Sequence, residues 1–245
     1  MLALLFLAGV CAGAVNALAG GGSFVTLGML ILAGLDPRAA NITSTIALFP
    51  GQVATGYAGR RMASGAEGLS FRTLLLISLA GGVAGALLLL ATPPAFFGVL
   101  VPWLVLFATA VFFWGSFVRQ ASEGAPVLGP RAATAAQLAI AVYGGYFGGG
   151  IGFLMLAVLT VAGQVVRNAA ATKNVLAAAM NASAVVIFVF SRDVHWRYAA
   201  VLGGGAIVGG LGGAALLARV NEKWLRIGVV ALGVALTVGL FLRGS

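Results

Sequence analysis

Two glycine runs lie inside stretches that only a membrane accommodates, and they lie at matched places. Gly20-Gly21-Gly22-Ser23 interrupts an apolar stretch from Met1 to about Leu35. Gly148-Gly149-Gly150-Ile151-Gly152 interrupts another from about Ala132 to Gly163. Backbone released from a helix at membrane depth finds no water to hydrogen-bond. It persists only where protein buries it or where it borders a polar cavity. Broken apolar segments at corresponding places in two halves of a chain are the best sequence pointer to a transport site.

Composition agrees with the membrane reading. Of 245 residues, 61% are hydrophobic and 8% charged, and the mean hydropathy is +1.10. Several apolar runs exceed the roughly 18 residues that mark a spanning helix. Period-two alternation is scarce, which argues against a membrane barrel. The chain therefore reads as an all-α, multi-pass protein, expected in a bacterial inner (plasma) membrane. The net charge of +9 is scattered through the junctions between apolar runs. Without a basic stripe or interleaved aromatics, it predicts no nucleic-acid partner. Anionic lipid accounts for that charge, and an anionic substrate would also be drawn to it. Cys11 is the only cysteine, so neither an internal disulfide nor a thiol metal site can form. No metal or cofactor is expected. Nothing basic precedes the first apolar run, so it reads as a membrane segment and not as a cleaved signal.

The chain reads as a duplication within a single membrane domain. Placing Gly21 on Gly150, an offset of 129, also sets Gly34 on Gly163, Arg38 on Arg167 and Thr43 on Thr172. Gly81-Gly82 similarly matches Gly209-Gly210. Order and spacing persist across the unit, as a repeat requires. The predicted bounds are 1–119 for the first repeat, 120–131 for a linker and 132–245 for the second. Each repeat holds four apolar segments: about 2–34, 40–59, 72–92 and 97–118, then about 132–162, 169–190, 198–218 and 224–242. The third segments carry small residues, among them Gly81, Gly82, Gly85, Gly209 and Gly210, that allow close helix contact. The first segment of each repeat is either a re-entrant hairpin or a discontinuous helix that crosses once. Lys and Arg counts across the loops favour neither. Half-segments of roughly 13–16 residues would be about 20–24 Å long as helix, short of a 30 Å core, which favours the hairpin.

The helix that follows each break begins with amides that lack intrahelical partners, at the positive end of its dipole. An anion is the natural ligand there. Gly20, Gly21, Gly22, Gly149 and Gly150 would let the backbone approach it, and Ser23 could cap the helix and donate its hydroxyl. Asn16, just before the first break, could order the unwound backbone or bind substrate. The second segment of each repeat supplies further polar groups: Asn41, Thr43 and Thr45 in the first, and Thr172, Lys173, Asn174 and Asn181 in the second. Pro50-Gly51 breaks the first of these segments again, with Gln52 next. Lys173 is the one basic residue well inside a spanning segment, where such residues face a cavity and mark a pathway. Near the segment's start it could instead snorkel. Interhelical hydrogen bonding is the plainer role for Asn41, Thr43, Thr45 and Asn181, and interfacial anchoring for Arg38 and Arg167.

Asn16-Ala17-Leu18-Ala19-Gly20-Gly21-Gly22-Ser23, followed by Ala40-Asn41-Ile42-Thr43-Ser44-Thr45-Ile46-Ala47-Leu48-Phe49-Pro50-Gly51, closely resembles the TauE/SafE sulfite-exporter family. The second glycine break and Ala171-Thr172-Lys173-Asn174 are similar to the same family. The resemblance covers essentially the whole chain. It implies a membrane transporter of small sulfur-containing anions or organic acids, with sulfite among them, and it leaves the substrate open.

No Gly-x-x-x-x-Gly-Lys-Ser/Thr nucleotide motif is present, so secondary transport is favoured over ATP-driven transport. Asp36, Glu67, Glu123, Asp193 and Glu222 all fall at junctions, leaving no proton-coupling carboxylate inside a segment. The competing classes are an intramembrane enzyme and a non-transporting subunit of a membrane complex. His195, the only histidine, sits in a charged junction beside Asp193 and Trp196. With no second histidine and no carboxylate pair in the membrane, neither a metal hydrolase nor a serine dyad assembles. The chain is therefore not expected to be an enzyme.

Overall fold

Glycine and proline punctuate the chain into ten α-helices among the described residues, which are 1–19, 21–66, 68–118, 129–216 and 222–244 of a computed structural model. They are α1 (Leu2–Ala19), α2 (Gly22–Leu32), α3 (Pro37–Gly59), α4 (Phe71–Ala91) and α5 (Pro94–Phe113), then α6 (Pro130–Tyr146), α7 (Ile151–Val161), α8 (Val166–Phe188), α9 (Trp196–Leu216) and α10 (Glu222–Gly244). A π-helical turn, Trp114–Val118, extends α5. Most of the expected linker, and Gly20, Glu67 and Glu123, lie outside the described residues.

The helix ends follow from local chemistry. Asp36 caps α3 by accepting hydrogen bonds from the Arg38 and Ala39 amides at 3.0 and 3.1 Å, with Pro37 as the first helical residue. Ser70 caps α4 through the Thr73 amide. α2 and α7 stop in the same way. Gly34 (φ +96°) and Gly163 (φ +85°) take left-handed conformations that a side chain would oppose. Around them Gly34 N donates to Ile31 O and Leu35 N to Leu30 O, while Gly163 N donates to Thr160 O and Gln164 N to Leu159 O. Both are Schellman closures, 129 residues apart in sequence.

Among the described residues, four stretches are long and apolar enough to cross a membrane: Phe71–Ala91, Pro94–Phe117, Arg167–Phe188 and Arg226–Arg243. At 11 residues each, α2 and α7 are about 16 Å long, too short to cross alone. α2 lies beside α1, its Gly22 set against the Ala12 carbonyl and Asn16. α7 lies beside α6, with the Ile151 side chain near Gly144.

Helix contacts come in matched pairs. α1 packs on α9 and α4 on α6; α3 meets α9 and α4 meets α8; α3 packs on α8 and α5 on α10. Small residues make the closest approaches. A Cβ at Gly9, Gly13 or Gly209 would strike backbone across the α1–α9 contact, one at Gly85 or Gly145 would do so across the α4–α6 contact, and one at Gly81 would strike the Ala141 Cβ there. In lipid, where apolar burial gives little drive for helices to associate, such approach lets dispersion hold them together. Aromatic edges add to it: Phe97 meets Tyr146 and Phe112 meets Phe153, with ring centroids 5.6 and 4.2 Å apart.

Candidate functional site

The break between α1 and α2 and the break between α6 and α7 border one polar cavity of about 210 Å³. The first contributes Asn16 and Ser23, and the second Gly148, Ile151 and Gly152. α3 closes one wall with Gln52 and Thr55, and α8 closes another with Ala170, Lys173, Asn174 and Ala177. Antiparallel packing of α3 on α8 creates this wall, with Gly59 against Ala171 and Gly56 against Asn174 and Ala178.

Lys173 lies over the start of α7. A Cβ added to Gly152 would be 3.7 Å from its Nζ, so glycine there leaves the ammonium room beside the helix's first turn. No described carboxylate pairs with Lys173; Asp193 is engaged by Arg38 instead. Ser23 does not cap α2, whose N-cap is Gly21. Its hydroxyl is buried at the cavity with no hydrogen-bond partner. Cation, unpaired hydroxyl and the first turns of two helices thus converge on one small space, a set of donors matched to an anion.

Gln52 contributes a donor whose orientation is fixed. Asn181 Nδ2 donates to Gln52 Oε1 at 2.6 Å, occupying the acceptor end of that carboxamide and leaving its NH₂ to face elsewhere. The two residues are 129 positions apart, the same offset that superposes the glycine breaks.

Of the residues expected at a site, Asn16, Ser23, Lys173 and Asn174 line the cavity, and Asn181 stands behind Gln52. The others hold the frame. Asn41 donates to Tyr146 O (3.1 Å), and Thr45 to Asn41 O. Thr43 accepts from the His195 amide (3.2 Å), and Thr172 from the Ser64 amide (3.0 Å). Gly21, Gly22, Gly149 and Gly150 shape the turns without lining the cavity: they face Val229, α1, the Phe147 ring and Ala108 respectively. Gly20 is outside the described residues. Gln52, Thr55, Gly148 and Gly152 were absent from the expected set. The expected break at Pro50-Gly51 is absent: α3 runs unbroken from Pro37 to Gly59 with Pro50 inside it. Gln52 had a signal, its place just after that pair; Thr55, one turn beyond, had none.

Arg38 is more than an interfacial anchor. Its Nη2 lies 2.7 Å from Asp193 Oδ2 and its Nη1 donates to Thr92 O at 2.7 Å. The start of α3 is thereby tied to the α8–α9 connection and to the end of α4. Arg167 is exposed.

Residues 5–240 match the sequence profile of the family described as Sulfite exporter TauE/SafE. The chain belongs to the TauE/SafE family. It is 32% identical to a probable membrane transporter protein, ORF9, of a Sinorhizobium species, over 98% of this chain and 92% of that one. A probable membrane transporter protein of Haemophilus influenzae is 26% identical, with 97% and 93% covered. The probable membrane transporter protein YfcA of Escherichia coli K12 is also 26% identical, with 98% and 89% covered. No solved structure matches. Family and helices together make this TauE/SafE chain an integral, multi-pass membrane transporter.

Proposed function

We propose that the protein is a secondary transporter that exports small anions across the bacterial inner membrane, with sulfite and related sulfur-containing or organic anions as substrates. The observation that carries this reading is Lys173, which faces a small polar cavity with no described carboxylate to neutralise it. A cation in a low-dielectric recess attracts an anion more strongly than one in water, although its desolvation offsets part of the gain. Ser23, Asn16, Asn174 and Gln52 supply polar groups around the same space, and a bound anion would give the Ser23 hydroxyl the partner it lacks.

In this reading the two halves are inverted repeats whose first segments are re-entrant hairpins. The fold of Gly22 back onto Ala12 and Asn16 supports the hairpin. The paired helix contacts and the Gln52–Asn181 bond at the repeat offset support a two-fold relation between the halves. Single cysteines introduced at Leu2 and Ala33, in a Cys11→Ala background, test it. A hairpin places both on one membrane face, so an impermeant maleimide applied to that face should label both. Labelling from opposite faces would refute the hairpin.

Transport itself is tested with purified protein in liposomes loaded with sulfite, methanesulfonate, acetate or chloride. The expected result is protein-dependent, saturable efflux of sulfite or the organic anions. Efflux no faster than from protein-free liposomes for every anion would contradict the proposal.

A further inference from the structure

A second cavity adjoins the polar one. It measures about 490 Å³ and lies between α1, α3 and α9, and Asn16 and Thr55 form part of both walls. Every other residue lining it is apolar or glycine, among them Leu48, Pro50, Gly51, Ala54, Ala206 and Gly210. Small residues create the hollow: a Cβ on Gly51 would meet nothing within 4 Å, and one on Gly210 would just reach the Gly13 carbonyl. The clefts between α2 and α10 and between α5 and α10 share no wall residue with the polar cavity. This apolar space shares Asn16 and Thr55 with the groups that would hold an anion.

We infer that the substrate is an amphiphilic organic anion. Its charged head sits with Lys173, Ser23 and Gln52, and its short alkyl tail lies past Asn16 and Thr55 in the apolar cavity. The inference rests on the anion reading above and narrows its substrate class. An inorganic oxyanion would use only the smaller, polar space and leave a larger, charge-free one beside it unused. Ligand sites commonly have the opposite balance, a mainly apolar enclosure in which a few polar groups fix orientation. The apolar space opens outward, where Ala54, Ala58, Ile207 and Leu211 are exposed, and removing a methylene from water onto its wall raises affinity by up to about fourfold.

The test is calorimetric binding of methane-, butane- and hexanesulfonate, with sulfite for comparison, to the protein in lipid nanodiscs. Wild-type protein, Gly51→Leu and Ala54→Leu are compared, since either leucine would fill the apolar space and touch none of the charged groups. Affinity should climb with chain length in the wild type, and hexanesulfonate should lose at least tenfold in both variants while sulfite and methanesulfonate are unchanged. Equal affinity along the series would overturn the tail site and leave the anion site standing. A climb that persists in both variants would also overturn it, since the tails would then be entering the bilayer. Absence of binding by sulfite and every sulfonate would overturn the anion reading as well.

Discussion

Asn181 shows how a residue can matter at a site that it does not line. It is 2% exposed, its Nδ2 holds Gln52 Oε1, and its own Oδ1 is buried without a partner. Asn181→Asp replaces that donor with an acceptor. Gln52 must then turn its NH₂ toward the carboxylate and present its oxygen to the cavity, where an anion would be repelled. A charge-assisted hydrogen bond contributes about 1.5–3 kcal/mol, so anion affinity should fall roughly 10- to 100-fold. Asn181→Ala, which only frees Gln52, should cost less. Binding titrations on both variants, with thermal melts to confirm folding, make the comparison; unchanged affinity in Asn181→Asp would remove Gln52 from the site. At this scale the sequence was partly readable. Lys173 stands out as a charge in apolar surroundings, whereas Thr43 and Thr172 look like ligands and in fact accept loop amides from His195 and Ser64. A hydroxyl in a spanning segment carries the same signature for either task.

Among the elements, the two glycine breaks look alike in sequence and are built differently. Gly150 caps α7 at φ +74° and Gly148 sits at +78°, so the second turn needs left-handed backbone. Gly21 caps α2 at φ −97°, which any residue adopts; glycine is needed there because a Cβ would lie 2.6 Å from Val229 Cγ1 of α10. Left-handed backbone is thus a requirement at Gly148 and Gly150 and not at Gly21. The difference is testable by second-site change. Gly21→Ala should lower the melting temperature, and Val229→Ala should restore most of the loss because the conflict is one of volume. Gly150→Ala should cost about 1–2 kcal/mol from backbone strain, and no trimming of its neighbour Ala108 should recover that. Recovery of Gly150→Ala by Ala108→Gly, or none for Gly21→Ala with Val229→Ala, would contradict these assignments. Run length set helix starts to within about three residues: segments expected from about 40, 97 and 132 begin at Pro37, Pro94 and Pro130. The direction of each glycine's missing side chain depends on neighbours 208 residues away in one case (Val229) and 42 in the other (Ala108), and no local pattern encodes it.

For the molecule as a whole, the two glycine breaks border one cavity, and residues 129 positions apart differ in ways that give that cavity its charge. At the repeat offset, Lys173 corresponds to Ser44 and Gly152 to Ser23. Ser44 Oγ is hydrogen-bonded to Thr26 Oγ1 at 2.5 Å in a buried pair, while Lys173 faces open space beside Gly152. One half therefore supplies the cation and the other packs its equivalent position with a hydroxyl pair. The offset of 129 residues was legible because glycine and polar markers keep their spacing. The cavity's shape was not, since it arises where α3 crosses α8 and where Gln52 meets Asn181. If Lys173 binds the transported anion, efflux from proteoliposomes measured side by side for wild type, Lys173→Ala and Lys173→Arg will report it. Lys173→Ala should reduce efflux at least tenfold with the folded fraction unchanged. Lys173→Arg should restore only part of it, because a planar fork replaces a compact ammonium. Efflux by Lys173→Ala at the wild-type rate would contradict the account.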